Sequence, residues 1–473
     1  MIVVLADGLE EAFPEGHANE KERDNLIRRA IQHADEQNLP LVIASRPHHP
    51  LEATAAAIIE LEPLSEEAAL DYVERDSRTQ DEHRLDWIVE TADVADAPLY
   101  LQIARRLYEK GMLEHLTPSR DHGHLDTRGG DCSALRWRLL DTWRKALAEG
   151  HLYPEVVLST KDRTETIRVV SALACVGLLK DTLEVTFEDL IGNVGKGVQA
   201  SPVRDRQYRP ERSTAAQEIW NKLRKDAWGE SDADEHALQL DIHRYLSLVS
   251  LAATRGEQLG LVESYGNRVR FFHSLLQAYL GSWFLDVLTD DDLRTALKAP
   301  LPGRELLITL VLQSRAATQA RVPNLARMLL DAAEHHYDAK AFDIYAAALE
   351  IDSVQDSPIQ GEIAEKLLQH WGQIRTGDRR TLEEGKLGVV QRFGDALREV
   401  ARRNHAEPAY KQFFQIGYAE ESYPIRLAIA QEIGSGGDKA FDALDYDFGD
   451  PLDEYLRRKS GKRSGPCACC CGA

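Results

Sequence analysis

Apolar positions follow two rhythms along the chain. Residues 2–6 (IVVLA) form a short unbroken run rich in β-branched side chains, the pattern of a strand covered on both faces. A second run, Leu41 to Ala44 within LPLVIASRPHHP (39–50), is stopped by Pro47 and Pro50, and a third spans 57–61 (AIIEL). Between the first two, NEKERDNLIRRAIQHADEQ (19–37) carries an apolar stripe at Leu26, Ile27, Ala30, Ile31 and Ala34, the mark of an amphipathic helix. Strand, helix and strand in this order predict a small parallel α/β sheet over residues 1–62.

After residue 62 the rhythm is helical. PLSEEAALDYVER (63–75) has Ser65 as a capping residue with Glu66 and Glu67 in the first turn. Helices follow at 97–113, at 132–150, where Gly150 supplies a stop, at 161–180 and across 214–257. LVESYGNRVRFF (261–272) reads as a hairpin about Tyr-Gly-Asn-Arg, and HSLLQAYLGSWFLDVL (273–288) as a strongly apolar helix. Helices ending in a hairpin predict a winged-helix-like module. From about 300 to 445 short helices follow one another. The last of them, YPIRLAIAQEIGSGGDKAFDAL, with Pro424 and Arg426, has the look of a HEAT-like unit in a helical stack. The expected fold class is therefore mainly α with a small α/β part. The expected divisions are 1–62 (α/β), 63–130 (helical), 131–290 (helical and winged-helix-like), 300–450 (α-helical repeats) and a disordered Cys-rich tail at 455–473.

Composition changes the picture mainly by exclusion. The 473 residues contain 57 Lys+Arg against 78 Asp+Glu, a net charge of −21, which argues against a nucleic-acid partner. The densest basic stretch, RDRQYRPER (204–212), reads as a solvated loop. No apolar run reaches the ~20 residues of a membrane span, and no signal peptide opens the chain. The expectation is a cytoplasmic protein with no membrane partner. Cys175 sits in an apolar helical run and reads as core, whereas the terminal CACCCGA matches no zinc spacing and no prenylation box.

The candidate chemistry starts at the strand ends. A carboxylate at the tip of a buried strand can hold Mg²⁺, generally through water, and a further acid can orient an attacking water. IVVLADGLEEA supplies Asp7 for the metal and Glu10 and Glu11 for the catalytic role. The block resembles the extended Walker B motif of NACHT ATPases, a branch of the STAND signalling NTPases, with Glu10 where the family carries Asp. LVIASRP is similar to the family's sensor 1 strand, with Ser45 and Arg46 at its tip, and DAPLYL to the motif whose proline, here Pro98, packs near adenine. RFFHSLLQAYLGSWFL resembles the winged-helix segment whose histidine, here His273, touches a phosphate, although Ala278 replaces the usual acid.

The resemblance spans residues 1–290. It implies ATP or ADP with Mg²⁺ as ligands, a remnant of a parallel P-loop NTPase sheet, protein partners through the helical repeats and a homo-oligomer in the full-length family. The family's Gly-x-x-x-x-Gly-Lys-Ser/Thr loop lies ahead of the Walker B strand. IGNVGKGVQ (191–199) only mimics it, with Leu190 and Gly197 at two of its key positions. The resemblance is thus to an N-terminally truncated family member with weakened or lost nucleotide binding. The alternative is a nucleotide-independent helical-repeat scaffold. A third reading, a metal site in RDHGHLD (Asp121, His122, His124, Asp126), has nothing else in the sequence converging on it.

Overall fold

A computed structural model describes residues 3–7, 20–44, 57, 66–74, 98–113, 132–192, 214–229, 242–298, 303–316, 322–336, 340–351, 358–373, 386–394, 396–398, 407–437 and 440. The chain divides into two compact units, Met1–Ala69 and Leu70–Ala473. It is mainly helical with a small sheet component.

In the first unit, strand β1 (Val4–Asp7) pairs in parallel with β2 (Leu41–Ala44), and helix α1 (Glu20–Glu36) connects them. Along α1, Ala30, Ile31 and Ala34 are half-buried while Arg28, Arg29, Gln32 and His33 are exposed, as the stripe requires. Asn38 closes the helix in the left-handed region (φ 51), with the Leu39 N–H returning to the Ala34 carbonyl.

One expectation fails here. The strands are not buried on both faces: Leu5 is 77% exposed, Val42 55% and Val4 41%. A β-branched run specifies extended backbone and parallel pairing, but burial needs a layer on each face. The described sheet has only these two strands, and both faces carry exposed apolar side chains. Of the expected strand at 57–61, only Ala57 is among the described residues.

The second unit includes helices α2 (Glu66–Glu74) in its later part, α3 (Pro98–Glu109), α4 (Cys132–Glu149) and α5 (Thr160–Lys180). Ser159 starts α5, its hydroxyl accepting from the Asp162 N–H at 3.1 Å. From Val169 to Leu178 every residue of α5 is buried, so this helix has no solvent face over that length. Around it lie α4, strand β3 (Glu184–Thr186), α6 (Phe187–Ile191), α7 (Thr214–Trp228), α8 (Ile242–Gln258) and α9 (Ser274–Ser282). Cys175 is buried there as a free thiol, and burial pushes its pKa up, in keeping with a core role.

The expected hairpin is present as β4 (Val262–Tyr265) and β5 (Arg268–Phe271), turning at Gly266, whose φ of 60 suits a two-residue loop. Strand β3 adds to the other side of β5, giving a three-stranded antiparallel sheet of order β3-β5-β4. Across the expected helical stretch 214–257, the described residues form α7 and α8.

Further helices among the described residues are α10 (Asp290–Lys298), α11 (Arg304–Ala316), α12 (Val322–Ala333), α13 (Lys340–Ile351), α14 (Pro358–Gln373), a helical stretch over 386–394, α15 (Glu407–Ala419) and α16 (Tyr423–Ser435). They pack largely on near neighbours in the chain: α12 on α13, α13 on α14, α14 on α15 and α15 on α16. Within this stack the Lys386 ammonium meets the Glu420 carboxylate at 2.8 Å, each side chain only 9% exposed. Glu420 also accepts from Trp371 Nε1 at 2.7 Å and from the Ser422 N–H at 3.2 Å. Burial alone would raise the Glu420 pKa, but Lys386, the Ser422 N–H and Trp371 outweigh it and hold it below the usual carboxylate range.

A depressed folded pKa contributes stability that is present above the unfolded value, near 4.3, and is lost as pH falls through the folded one. Glu420→Gln should therefore lower stability by about 2 kcal/mol at pH 7, because it leaves the Lys386 ammonium buried without its counter-charge. The gap between variant and parent should close on acidification toward pH 3, as read from urea midpoints. No helix among the described residues is long and apolar enough to cross a membrane.

Candidate functional site

The parallel register sets Val4 beside Leu41 and Asp7 beside Ala44. Asp7 therefore ends β1 at the level where β2 ends, one residue before Ser45. The carboxyl ends of parallel strands are where open α/β sheets bind ligands. Ser45, Arg46, Glu10 and Glu11 lie outside the described residues, and Asp7 is placed by its backbone alone. Asp121, His122, His124 and Asp126, and the terminal cysteines, also fall outside them.

Pro98 and His273 belong to the second unit. Pro98 opens α3 and is exposed, at a position where a missing N–H costs nothing. The helix is held by its other face, through buried Tyr100, Leu101, Ile103, Ala104, Leu107 and Tyr108. His273 stands between β5 and α9 in extended conformation (φ −146, ψ 128) and caps the helix. Its Nδ1 accepts from the Leu275 N–H at 3.2 Å. Burial lowers its pKa, which favours the neutral ring at pH 7. With Nδ1 as acceptor, the hydrogen-bond pattern assigns the proton to Nε2, so the half-buried ring can present one N–H donor. Among the described residues no group of three or more His, Cys, Asp or Glu side chains could hold a metal ion.

Sequence reasoning missed a second feature of this unit. A cleft of about 590 Å³ opens among α4, α5, α7, the 282–286 segment and α11. That is the size of a small-molecule site. The Arg144 guanidinium lies 4.1 Å above the Trp283 ring and is held by Asp141 through Nη2 at 3.0 Å. Lys222 Nζ lies 5.2 Å from the centre of the Phe284 ring and donates to the Trp283 carbonyl at 2.9 Å and to Asp286 at 2.5 Å. Arg168 donates from Nη1 to the Asp226 backbone carbonyl at 2.5 Å. Gln313, 7% exposed, stands in the wall with its Oε1 buried and lacking a hydrogen-bond partner among the described residues.

The lining residues are spread from Trp137 to Gln313, so no local motif announces the cleft. The available signal was helical phase: Trp137, Arg144 and Ala148 recur at seven- and four-residue steps on one face of α4. The chain matches no protein-family model and has no significant match among curated proteins or solved structures.

Proposed function

We propose that the chain is part of a nucleotide-responsive switch of the NACHT/STAND kind. The observation that carries this reading is the strand register, which sets Asp7 and the residue before Ser45 at the same end of a parallel sheet. In this reading Asp7 would hold Mg²⁺ through hard oxygen contacts, Ser45 and Arg46 would face the γ-phosphate, and Pro98 would lie near adenine. Glu10 and Glu11 would orient the attacking water. Mg²⁺ would supply charge neutralisation of the phosphates.

His273 fits the part of a phosphate contact because its ring is neutral, half-buried and carries Nε2–H as donor. The connectivity from α5 through β3, the helices and the β4–β5 hairpin, with strand order β3-β5-β4, further supports a winged-helix reading of this region.

The sequence contains no Gly-x-x-x-x-Gly-Lys-Ser/Thr loop, so calorimetric titration with Mg²⁺-ATP should report weak binding, on the order of millimolar. Asp7→Asn should remove its Mg²⁺ dependence, and His273→Ala should weaken ADP binding by about tenfold or more, the value of one hydrogen bond to a charged group. Binding indifferent to both substitutions, or no heat at about ten times that concentration, would overturn the reading.

The packing of α12 to α16 on near neighbours favours a second reading, in which a HEAT-like stack carries the function by protein contact without nucleotide. Nucleotide-independent capture of a protein partner by the stack, with a null titration, is the result that would select it.

A further inference from the structure

We infer that the cleft beside Trp283 is a binding site for a small planar aromatic anion that also carries an N–H donor. Three independent features point to this ligand class.

The first is charge. Arg144, Arg168 and Lys222 line the cleft against Asp226 and Asp286. Lys222 is paired with Asp286 and Arg144 with Asp141. Arg168 instead meets a backbone carbonyl through Nη1, which leaves most of its planar fork to match a carboxylate or sulfonate. In a chain of net charge −21, a concave surface where three cations stand beside two lining carboxylates is less negative than the molecule as a whole.

The second is ring surface. Trp137, Trp283 and Phe284 all line the cleft, and Trp283 is 38% exposed although its ring already carries the Arg144 guanidinium. An aromatic ligand gains stacking against such a floor, and the cations at its rim select the anion.

The third is Gln313. A buried amide oxygen without a partner carries a desolvation cost that native structures seldom leave uncompensated. Gln313 reaches the wall from α11, a helix that brings no charged side chain to the lining. An N–H on the ligand would complete the acceptor. The volume of about 590 Å³ suits a ligand of two or three fused or linked rings.

The test uses the full chain and 8-anilinonaphthalene-1-sulfonate, which combines a planar ring system, an anionic group and an aniline N–H. Its fluorescence should report one saturable site per chain. Indole-3-acetate should displace it, and the neutral indole-3-acetamide should not. Arg168→Ala and Gln313→Met should each weaken dye binding about tenfold. Arg168 lies on the exposed side of α5, so its replacement is not expected to disturb the core, and circular dichroism checks this for both variants. A signal that survives both substitutions in folded protein reports the exposed β1–β2 sheet instead and overturns the assignment. So does displacement by the acetamide as readily as by the acetate, or the absence of a saturable site. The nucleotide reading plays no part in these outcomes.

Discussion

Replacing Arg163 by methionine should be among the most damaging single changes in the described part of the chain, lowering stability by about 4 kcal/mol. The side chain is 2% exposed and its guanidinium gathers backbone carbonyls. Nη1 donates to Leu147 at 3.2 Å and Leu152 at 3.1 Å, Nη2 to Tyr153 and Val156 at 2.8 Å each, and Nε to Leu158 at 3.4 Å. Leu147 is in the last turn of α4, where carbonyls lack helical partners and the helix dipole is negative. The others belong to the 150–158 connection into α5, so one cation organises the whole link between two core helices.

Methionine fills much of the volume and satisfies none of these acceptors. With a slope of about 3 kcal/mol/M, the urea midpoint of this unit should fall by more than 1 M. Arg163→Lys should recover only part of the loss, since an ammonium cannot span the same fork. A midpoint unchanged by Arg163→Met would mean that water replaces the guanidinium, and that the link holds without it.

The second large effect is expected at the crossing of α5 and α9. A methyl group on Gly177 would lie 2.3 Å from Gln277 Nε2, 2.7 Å from the Thr182 carbonyl oxygen and 2.8 Å from Val185 Cγ2. Gln277 Nε2 donates to that same carbonyl at 2.7 Å, so the methyl group would also break a partly buried hydrogen bond. On the facing helix, a methyl group on Gly281 would meet Leu178 Cδ1 at 2.3 Å and the backbone nitrogen of Cys175 at 3.1 Å. Overpacking of this kind costs up to about 3 kcal/mol, and the helix propensity of alanine returns up to about 1. Each Gly→Ala change should therefore destabilise by about 2 kcal/mol. The double variant should cost less than the sum, because the first substitution already parts the helices. Stabilisation by Gly281→Ala, with the Gly177 variant unaffected, would show that Leu178 turns aside and the helices do not approach as described.

What the sequence revealed depended on whether the signal was local. The hairpin at 262–271 was readable because Gly266-Asn267 forces the turn and apolar residues flank it. Helix α4 stops where Gly150 takes a φ of 85, and α2 begins directly after Ser65. Strand β3 was missed because a three-residue segment has no periodicity of its own and becomes a strand only by pairing with β5. Arg163 reads as one more charge in a helix's first turns, and only the fold reveals the carbonyls around it. Of the candidate nucleotide residues at the strand ends, the register sets Asp7 level with Ala44, and Glu10, Glu11, Ser45 and Arg46 lie outside the described residues. The cleft was invisible for the opposite reason: Trp137, Arg168, Lys222, Trp283 and Gln313 come from separate elements, and their convergence is a property of packing.

The exposed apolar residues of the β1–β2 pair have a colloidal consequence. Strand rims and apolar faces attract their like at short range, while a charge of −21 keeps whole molecules apart at long range. The two influences respond differently to electrolyte. Dissolved salt shortens the reach of the repulsion to about 8 Å at physiological ionic strength and leaves the sticky surface as it is. Dispersal of this protein is therefore a kinetic truce set by its solvent, strongest in dilute buffer and weakening as ions are added.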